Sequence, residues 1–268
     1  QEKGANLIIA GKKSPSGVLK PYFESKNIAG AFGLLSAAFK DQSPPKAQIV
    51  GVIGAYGKRG ATGFIEGFLK AARKNVAVLG DAFRGNDLAL FASPQALQKA
   101  LDEKIATGVN AFILALPNTA LKSHCTEGLA FDALVFTDSS PERIDGHASV
   151  EEYYASVKSI FYALSETTPG TGKRGLAAIN DDDPLGKRLL ADMVVRTSPT
   201  HSFGWSPKSH VSAQSLMITS DGMSGRITRS KVKTPLLTRA YAYDLLAAIT
   251  VADDLKLEDS IITQAIND

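Results

Sequence analysis

Val50-Gly51-Val52-Ile53-Gly54-Ala55-Tyr56-Gly57-Lys58-Arg59-Gly60 decides how this chain is read. Upstream, the apolar run from Ala47 to Ile53 predicts a buried strand; downstream, Thr62 to Arg73 has helical character. A glycine-rich turn between strand and helix is the context in which backbone N–H groups and a helix N-terminus hold a phosphate, with Lys58 in reach of it. A working loop of this type follows its lysine with Ser or Thr, whose hydroxyl binds the magnesium that accompanies a nucleotide. Here Arg59 stands in that place, a fixed cation that repels the metal. Gly54, Gly57, Lys58 and Arg59 are therefore the candidate site, read as a residual site for phosphate or another anion without metal. The plainer reading is an inherited tight turn with a solvated lysine.

Composition sets the bounds. With 268 residues and 44% hydrophobic content, the chain can bury a sizeable core in one large domain or two smaller ones. A formal charge of +3 is too weak to argue for nucleic acid or an anionic membrane. The single cysteine, Cys125, excludes an internal disulfide and fits a reducing compartment, cytoplasm or organelle. No run approaches the roughly 20 apolar residues of a transmembrane helix, and no signal peptide is visible. The chain opens on Gln1, so an upstream segment is expected outside it.

Strand and helix patterns alternate along the chain. Ala5 to Ala10 reads as a short strand and Ile28 to Phe39 as a helix. The Ser-Pro-Pro stretch from Gln42 to Lys46 reads as a linker, dividing residues 1–44 from a main domain at 45–268. Further strands are expected at Val76–Leu79, Ala111–Leu116, Ala133–Thr137 and Gly175–Asn180, and helices at Ser93–Thr107, Val150–Leu164 and Asp183–Met193. Such alternation predicts an α/β fold, a doubly wound and mostly parallel sheet covered on both faces. From His201 to Leu237 short alternating strands with Ser/Gly turns predict a small antiparallel sheet, and Arg239 to Ala252 a last long helix.

The order of landmarks resembles the Mur ligases, closest to the UDP-N-acetylmuramoyl-tripeptide synthetases of the MurE type. The resemblance runs from about Asn6 to Asn267. It rests on Leu34-Leu35-Ser36-Ala37-Ala38-Phe39, the Gly51–Gly54 turn with Gly57-Lys58, and Gly128-Leu129-Ala130-Phe131-Asp132 leading into Val135-Phe136-Thr137. It continues through Asp145, His147, Val150-Glu151-Glu152-Tyr153, Ile179-Asn180-Asp181-Asp182-Asp183-Pro184-Leu185-Gly186, Pro235-Leu236-Leu237 and Leu245-Leu246-Ala247-Ala248. It implies a central ATPase-type domain after a remnant of an N-terminal domain, with the family's C-terminal domain outside this chain.

The resemblance also implies a reaction, an amide bond made through an acyl phosphate with ATP and magnesium, and it marks where this chain departs. The two hydroxyl residues after the loop lysine are Arg59 and Gly60. The metal-binding Glu falls on Ala115, and the motif after it reads Pro117-Asn118-Thr119. The Thr-Thr-Pro that contacts the UDP-sugar-peptide becomes Ala92-Ser93-Pro94, and the Arg that holds the substrate carboxylate falls on Cys125. An Asp-His pair becomes Glu142-Arg143. The carbamylated lysine falls on Val157, with Lys158 adjacent, and the two adenine-reading Asn residues fall on Tyr241 and Asp244, with Arg239 retained.

Losses at phosphate, metal, adenine, sugar and carboxylate positions, beside persisting apolar and glycine positions, lead to the expectation of a non-catalytic MurE-like scaffold or regulatory subunit. That expectation includes protein partners, no cofactor beyond residual phosphate or nucleotide binding, no metal, and no UDP-sugar-peptide. The alternative is an ATP-dependent acid–amino-acid ligase of peptidoglycan-precursor type that uses altered ligands or is completed by further domains. Other residues have plain readings. Asp181-Asp182-Asp183 before Pro184 reads as a helix cap rather than a metal cluster. His124 and Cys125 are adjacent on the chain and point apart, which excludes a catalytic dyad. His147, His201 and His210 lack metal-ligand spacing, and Trp205 reads as packing. Arg226, Arg229, Lys231 and Lys233 read as a solvated strand edge, or alternatively a docking surface.

Overall fold

The computed structural model describes residues 8–11, 13, 21–28, 30, 31, 33, 35, 47–81, 87–140, 144–164, 174–213, 215–228, 230–236 and 238–267. The expected linker at 42–46, Glu142, Arg143 and Arg229 lie outside these. Strands β1 (Ile8–Ala10) and β2 (Tyr22–Glu24) form a parallel pair. Beyond them Ile28, Gly30, Ala31, Gly33 and Leu35 are helical, as the apolar pattern predicts.

The main body is a seven-stranded sheet in which every pairing is parallel. It contains β3 (Gln48–Ile53), β4 (Val76–Leu79), β5 (Ala111–Ala115), β6 (Ala133–Phe136), β7 (Leu176–Asn180), β8 (Thr200–Gly204) and β9 (Val211–Ser212), in the order β4-β5-β3-β6-β7-β8-β9. Alternate residues of each strand enter two cores. Val50, Val52, Ala111, Ile113, Ala133 and Val135 pack with α1 (Lys58–Ala71), α6 (Arg239–Asp254) and α7 (Asp259–Asn267). Ile53, Phe112, Leu114, Leu134 and Phe136 pack with α2 (Pro94–Ala106), α3 (Asn118–Lys122), α4 (Val150–Ala163) and α5 (Pro184–Met193). Both faces of a parallel sheet are thereby covered, which is why these strands read as continuous apolar runs. Gly51 belongs to this packing: a Cβ there would stand 2.5 Å from Leu134 and 2.9 Å from Phe131.

The helix starts follow from their caps. Ser93 accepts the Ala96 N–H (3.2 Å) ahead of Pro94, and Ser149 accepts that of Glu152 (3.2 Å).

Two boundaries differ from the sequence reading. The segment at 201–237 is not one antiparallel sheet: β8 and β9 extend the main sheet. Only β10 (Leu216–Thr219), β11 (Gly222–Ile227) and β12 (Ser230–Thr234) form an antiparallel one. Its inner residues Met223, Ile227 and Val232 join the α6 side of the core. Helix α1 begins at Lys58, four residues before the apolar periodicity does, because Gly57 takes the left-handed N-cap conformation (φ 78°). Helix α7 was not anticipated.

Candidate functional site

The strand order reverses direction at β3. From β3 the chain passes outward through β4 and returns by β5, and then crosses to β6 on the other side. The carboxyl ends of β3 and β6 therefore face a switch point, the place where open parallel sheets bind ligands. The Gly54–Arg59 loop sits there. A cleft of about 260 Å³ opens beside it, lined by Tyr56, Gly57, Thr137, Asp138, Asn180, Asp182, Asp183, Tyr243 and Asp244 among others. Residues from β3, β6, β7 and α6, separated by nearly two hundred positions, thus converge.

The loop is pinned to the end of β6. Gly54 lies so close to it that a Cβ would stand 2.0 Å from Thr137 Oγ1, at a backbone φ of 151°. Thr137 Oγ1 donates to the Tyr56 carbonyl (2.6 Å), and the Tyr56 N–H donates to Asp138 Oδ1 (2.7 Å). Asn180 Nδ2 donates to the Thr137 carbonyl (2.7 Å), tying β7 to the same corner. Lys58 Nζ turns back to the Gly54 carbonyl, closing the loop on itself, while Arg59 is exposed. The first turn of α1 presents amides that the helix itself cannot satisfy, and its dipole favours negative charge in the cleft.

Asp244 occupies that position. Its side chain is 6% exposed and makes no hydrogen bond among the described residues, and its carboxylate lies over the loop. A Cβ on Gly60 would stand 1.9 Å from Asp244 Oδ2, and one on Gly57 2.8 Å from Oδ1. Burial, with a lesser contribution from Asp138, pushes the Asp244 carboxyl up to about 7. Asp138 is itself raised by burial and by Asp183, against the pull of the Tyr56 N–H and Lys58. Two departures that look independent in sequence, Gly60 and Asp244, are therefore one contact. Gly60→Ala is expected to destabilise the protein by about 1–3 kcal/mol, the usual range for overpacking. Adding Asp244→Ala should return most of that loss in a thermal melt.

The remaining carboxylates have structural partners. Asp183 caps α5 through the N–H groups of Leu185 (2.9 Å) and Gly186 (3.0 Å) and receives the Ser139 hydroxyl, as the cap reading predicts. Asp182 accepts the Trp205 N–H (2.7 Å) and the Tyr243 hydroxyl (2.9 Å), and Asp181 accepts the Ser209 hydroxyl. Burial, and after it the bond to Asp182, push the Tyr243 phenol up to about 12. Arg239 stacks on Trp205 (4.5 Å) at the start of α6. Among the described residues no three His, Cys, Asp or Glu side chains are placed to hold a metal ion.

Other expected positions lie elsewhere. Val157 is buried in the α4 core, and Lys158 pairs with Asp192 (2.7 Å), so neither turns toward the cleft. Cys125 is fully buried with its thiol pushed up to about 11, which makes it inert, while His124 pairs with Glu127. His201 and His210 stack on each other (5.0 Å), and burial holds His201 below its ordinary pKa. Ser93, aligned with a substrate-contact motif, spends its oxygen on the α2 cap. Sequence reading missed Asp138 and Tyr243. A carboxylate directly after a central strand, at Thr137-Asp138, was the available signal for the first; Tyr243 had none.

A cleft at the switch point of a parallel sheet, joined to a small antiparallel sheet, defines a class, and comparison with known proteins places the chain within a family. The Mur ligase middle domain matches residues 52–252, and the chain belongs to the Mur ligase family. It is 30% identical to the UDP-N-acetylmuramoyl-L-alanyl-D-glutamate--2,6-diaminopimelate ligase of Geobacter metallireducens, across 98% of this chain and 52% of that protein. It is 26% identical to the enzyme of the same name from Lactiplantibacillus plantarum, across 94% of this chain and 52% of that one. A solved ligase of that name superposes with a TM-score of 0.77 at 17% identity, over 99% of this chain and 55% of the other. An FPGS–AMPPCP complex superposes with 0.60 at 13%, over 90% and 67%. The chain spans about half the length of the curated relatives it matches. Among the described residues no helix is long and apolar enough to cross a membrane.

These relatives overturn the expectation of a non-catalytic scaffold. Proteins matched along nearly the whole chain are named as ligases, and none of the findings points to a scaffold role. The expectation erred physically by counting each departing residue as an independent loss. Gly60 and Asp244 are in contact and cannot be counted as two separate losses.

Proposed function

We propose that the chain forms the nucleotide-binding part of an ATP-dependent carboxylate–amine ligase of the peptidoglycan-precursor type, working with an altered set of phosphate-facing groups. The observation that carries this reading is the cleft at the switch point, where the Gly54–Arg59 loop, the amide end of α1 and the ends of β6 and β7 converge. In such a reaction a carboxylate oxygen of the acid substrate attacks the γ-phosphorus of ATP and ADP leaves. The amine then attacks the acyl phosphate carbon, and inorganic phosphate departs as the amide forms. This chain's part is to hold the phosphates. Gly57 to Gly60 supply backbone amides and the helix dipole, and Lys58 and Arg59 supply positive charge where the transferring group becomes most negative.

Magnesium bound by protein side chains does not fit this loop. Arg59 and Gly60 carry no hydroxyl and Ala115 no carboxylate, Asp138, Asp182 and Asp183 accept protein donors, and burial favours the neutral form of Asp244, the carboxyl that lies over the loop. Charge on the phosphates is therefore balanced by the two cations and the amides. The acid substrate is of the kind that the relatives' names state, a UDP-N-acetylmuramoyl peptide, with 2,6-diaminopimelate as the amine.

The test is a coupled assay on the full-length protein with ATP and those two substrates, following ADP release and the amide product by mass spectrometry. ADP release that depends on both substrates is expected. Full substrate saturation with neither ADP nor amide formed would overturn the ligase reading.

A further inference from the structure

The placement of Asp244 has a consequence for the loop that its ligase role does not require. Its carboxylate is the group nearest the first turn of α1, close enough that a Cβ on Gly60 or Gly57 would collide with it. It is buried, lines the cleft, and has no hydrogen-bond donor among the described residues to hold it as an anion. Asp138 at the end of β6, Asp182 and Asp183 at the end of β7 and Tyr243 on its own helix line the same cleft, while Lys58 and Arg59 open α1 and Arg239 opens α6. Of these, Lys58 Nζ is directed to the Gly54 carbonyl and Arg239 to the Trp205 ring. Asp138 is the charged neighbour that opposes ionisation of Asp244, and an anion arriving at the α1 amides meets Asp244 first.

Resting on the reading of this loop as a phosphate site, we propose that Asp244 is a proton-operated gate on it. Neutral, it admits a terminal phosphate and donates its hydroxyl to a phosphate oxygen; ionised, it closes the cradle to anions. A protonated carboxyl offers one O–H donor, whereas a carboxylate offers none, so one proton changes both charge and hydrogen-bonding sign. Burial pushes the pKa of this carboxyl up to about 7, which puts the change in the neutral range. The gate also accounts for Gly60, since any side chain there would displace the carboxyl from the loop. A carboxyl inserted in this way links nucleotide affinity to pH with no separate regulatory domain.

The experiment measures ATP binding calorimetrically to the full-length protein at pH 7.0, 7.75 and 8.5, in the wild type and in Asp244→Asn. If only the neutral form binds, apparent affinity follows the protonated fraction, and wild-type affinity should fall roughly tenfold or more over this interval. Asp244→Asn, which stays neutral, should stay within about threefold and bind tighter than wild type at pH 8.5. Asp244→Ala serves as a second variant should the Asn form fold poorly, and it too should lose the dependence. Equal, pH-independent affinities in wild type and variants would overturn the gate and leave the phosphate site standing. Absence of ATP binding in all proteins at every pH would overturn the phosphate site and the gate with it.

Discussion

Between pH 5 and pH 8, Asp244→Asn should gain roughly 2–3 kcal/mol of stability relative to wild type, about 5–10 °C in melting temperature. Burial and Asp138 raise the folded-state carboxyl to about 7, from an unfolded value of about 3.9. Between those values the folded state holds a proton that the unfolded state has released. Wild-type stability therefore falls by roughly 1.4 kcal/mol per pH unit as pH rises from about 4 to 7, and levels off above 7. The amide does not titrate and escapes this slope. Its own desolvation is the same at every pH, so the change in the gap between the two proteins carries the information. Paired melts at pH 5, 6, 7 and 8 are sufficient. A constant gap would mean that the carboxyl ionises freely in the folded protein.

The second large effect concerns Lys58. On the proposed ligase reading, Lys58→Ala in the full-length protein should lower kcat/KM by 10²- to 10³-fold, roughly 2.7–4 kcal/mol, as for other groups aimed at charge that develops in the transition state. The stability cost should stay near 1 kcal/mol, the worth of the bond to the Gly54 carbonyl. A steady-state assay beside a thermal melt separates the two. An active Lys58→Ala protein would mean that the amides of the loop and Arg59 carry the phosphates without it. The plainer reading of the loop, an inherited turn with a solvated lysine, instead expects this substitution to be silent.

The sheet was legible because its strands are buried on both faces. Ala111-Phe112-Ile113-Leu114-Ala115 and Ala133-Leu134-Val135-Phe136 carry no polar residue, so their type and limits could be read directly. Thr200-His201-Ser202-Phe203-Gly204 alternates instead. It lies near the sheet's margin, with its first residues half buried, and local pattern could not separate it from the antiparallel strands that follow. The start of α1 was hidden by glycines at 57 and 60, which are poor helix formers required here by Thr137 and Asp244. The loop itself was visible, but its surroundings were not. Asp244 stands 184 residues beyond Gly60, and only the folding of α6 across the cleft makes the two a pair. Read one at a time the two departures look unrelated, whereas in the fold they are a single contact.

Trp205 is the single tryptophan of the chain. Its ring lies under the Arg239 guanidinium, its indole N–H is buried without an acceptor among the described residues, and its backbone N–H shares Asp182 with Tyr243 at the wall of the cleft. The protein therefore carries its own optical probe. Excited selectively, that indole reports on one place, with a guanidinium and a carboxylate as its neighbours beside the cleft. Occupancy of the cleft is expected to shift that emission, and within this chain no second indole contributes.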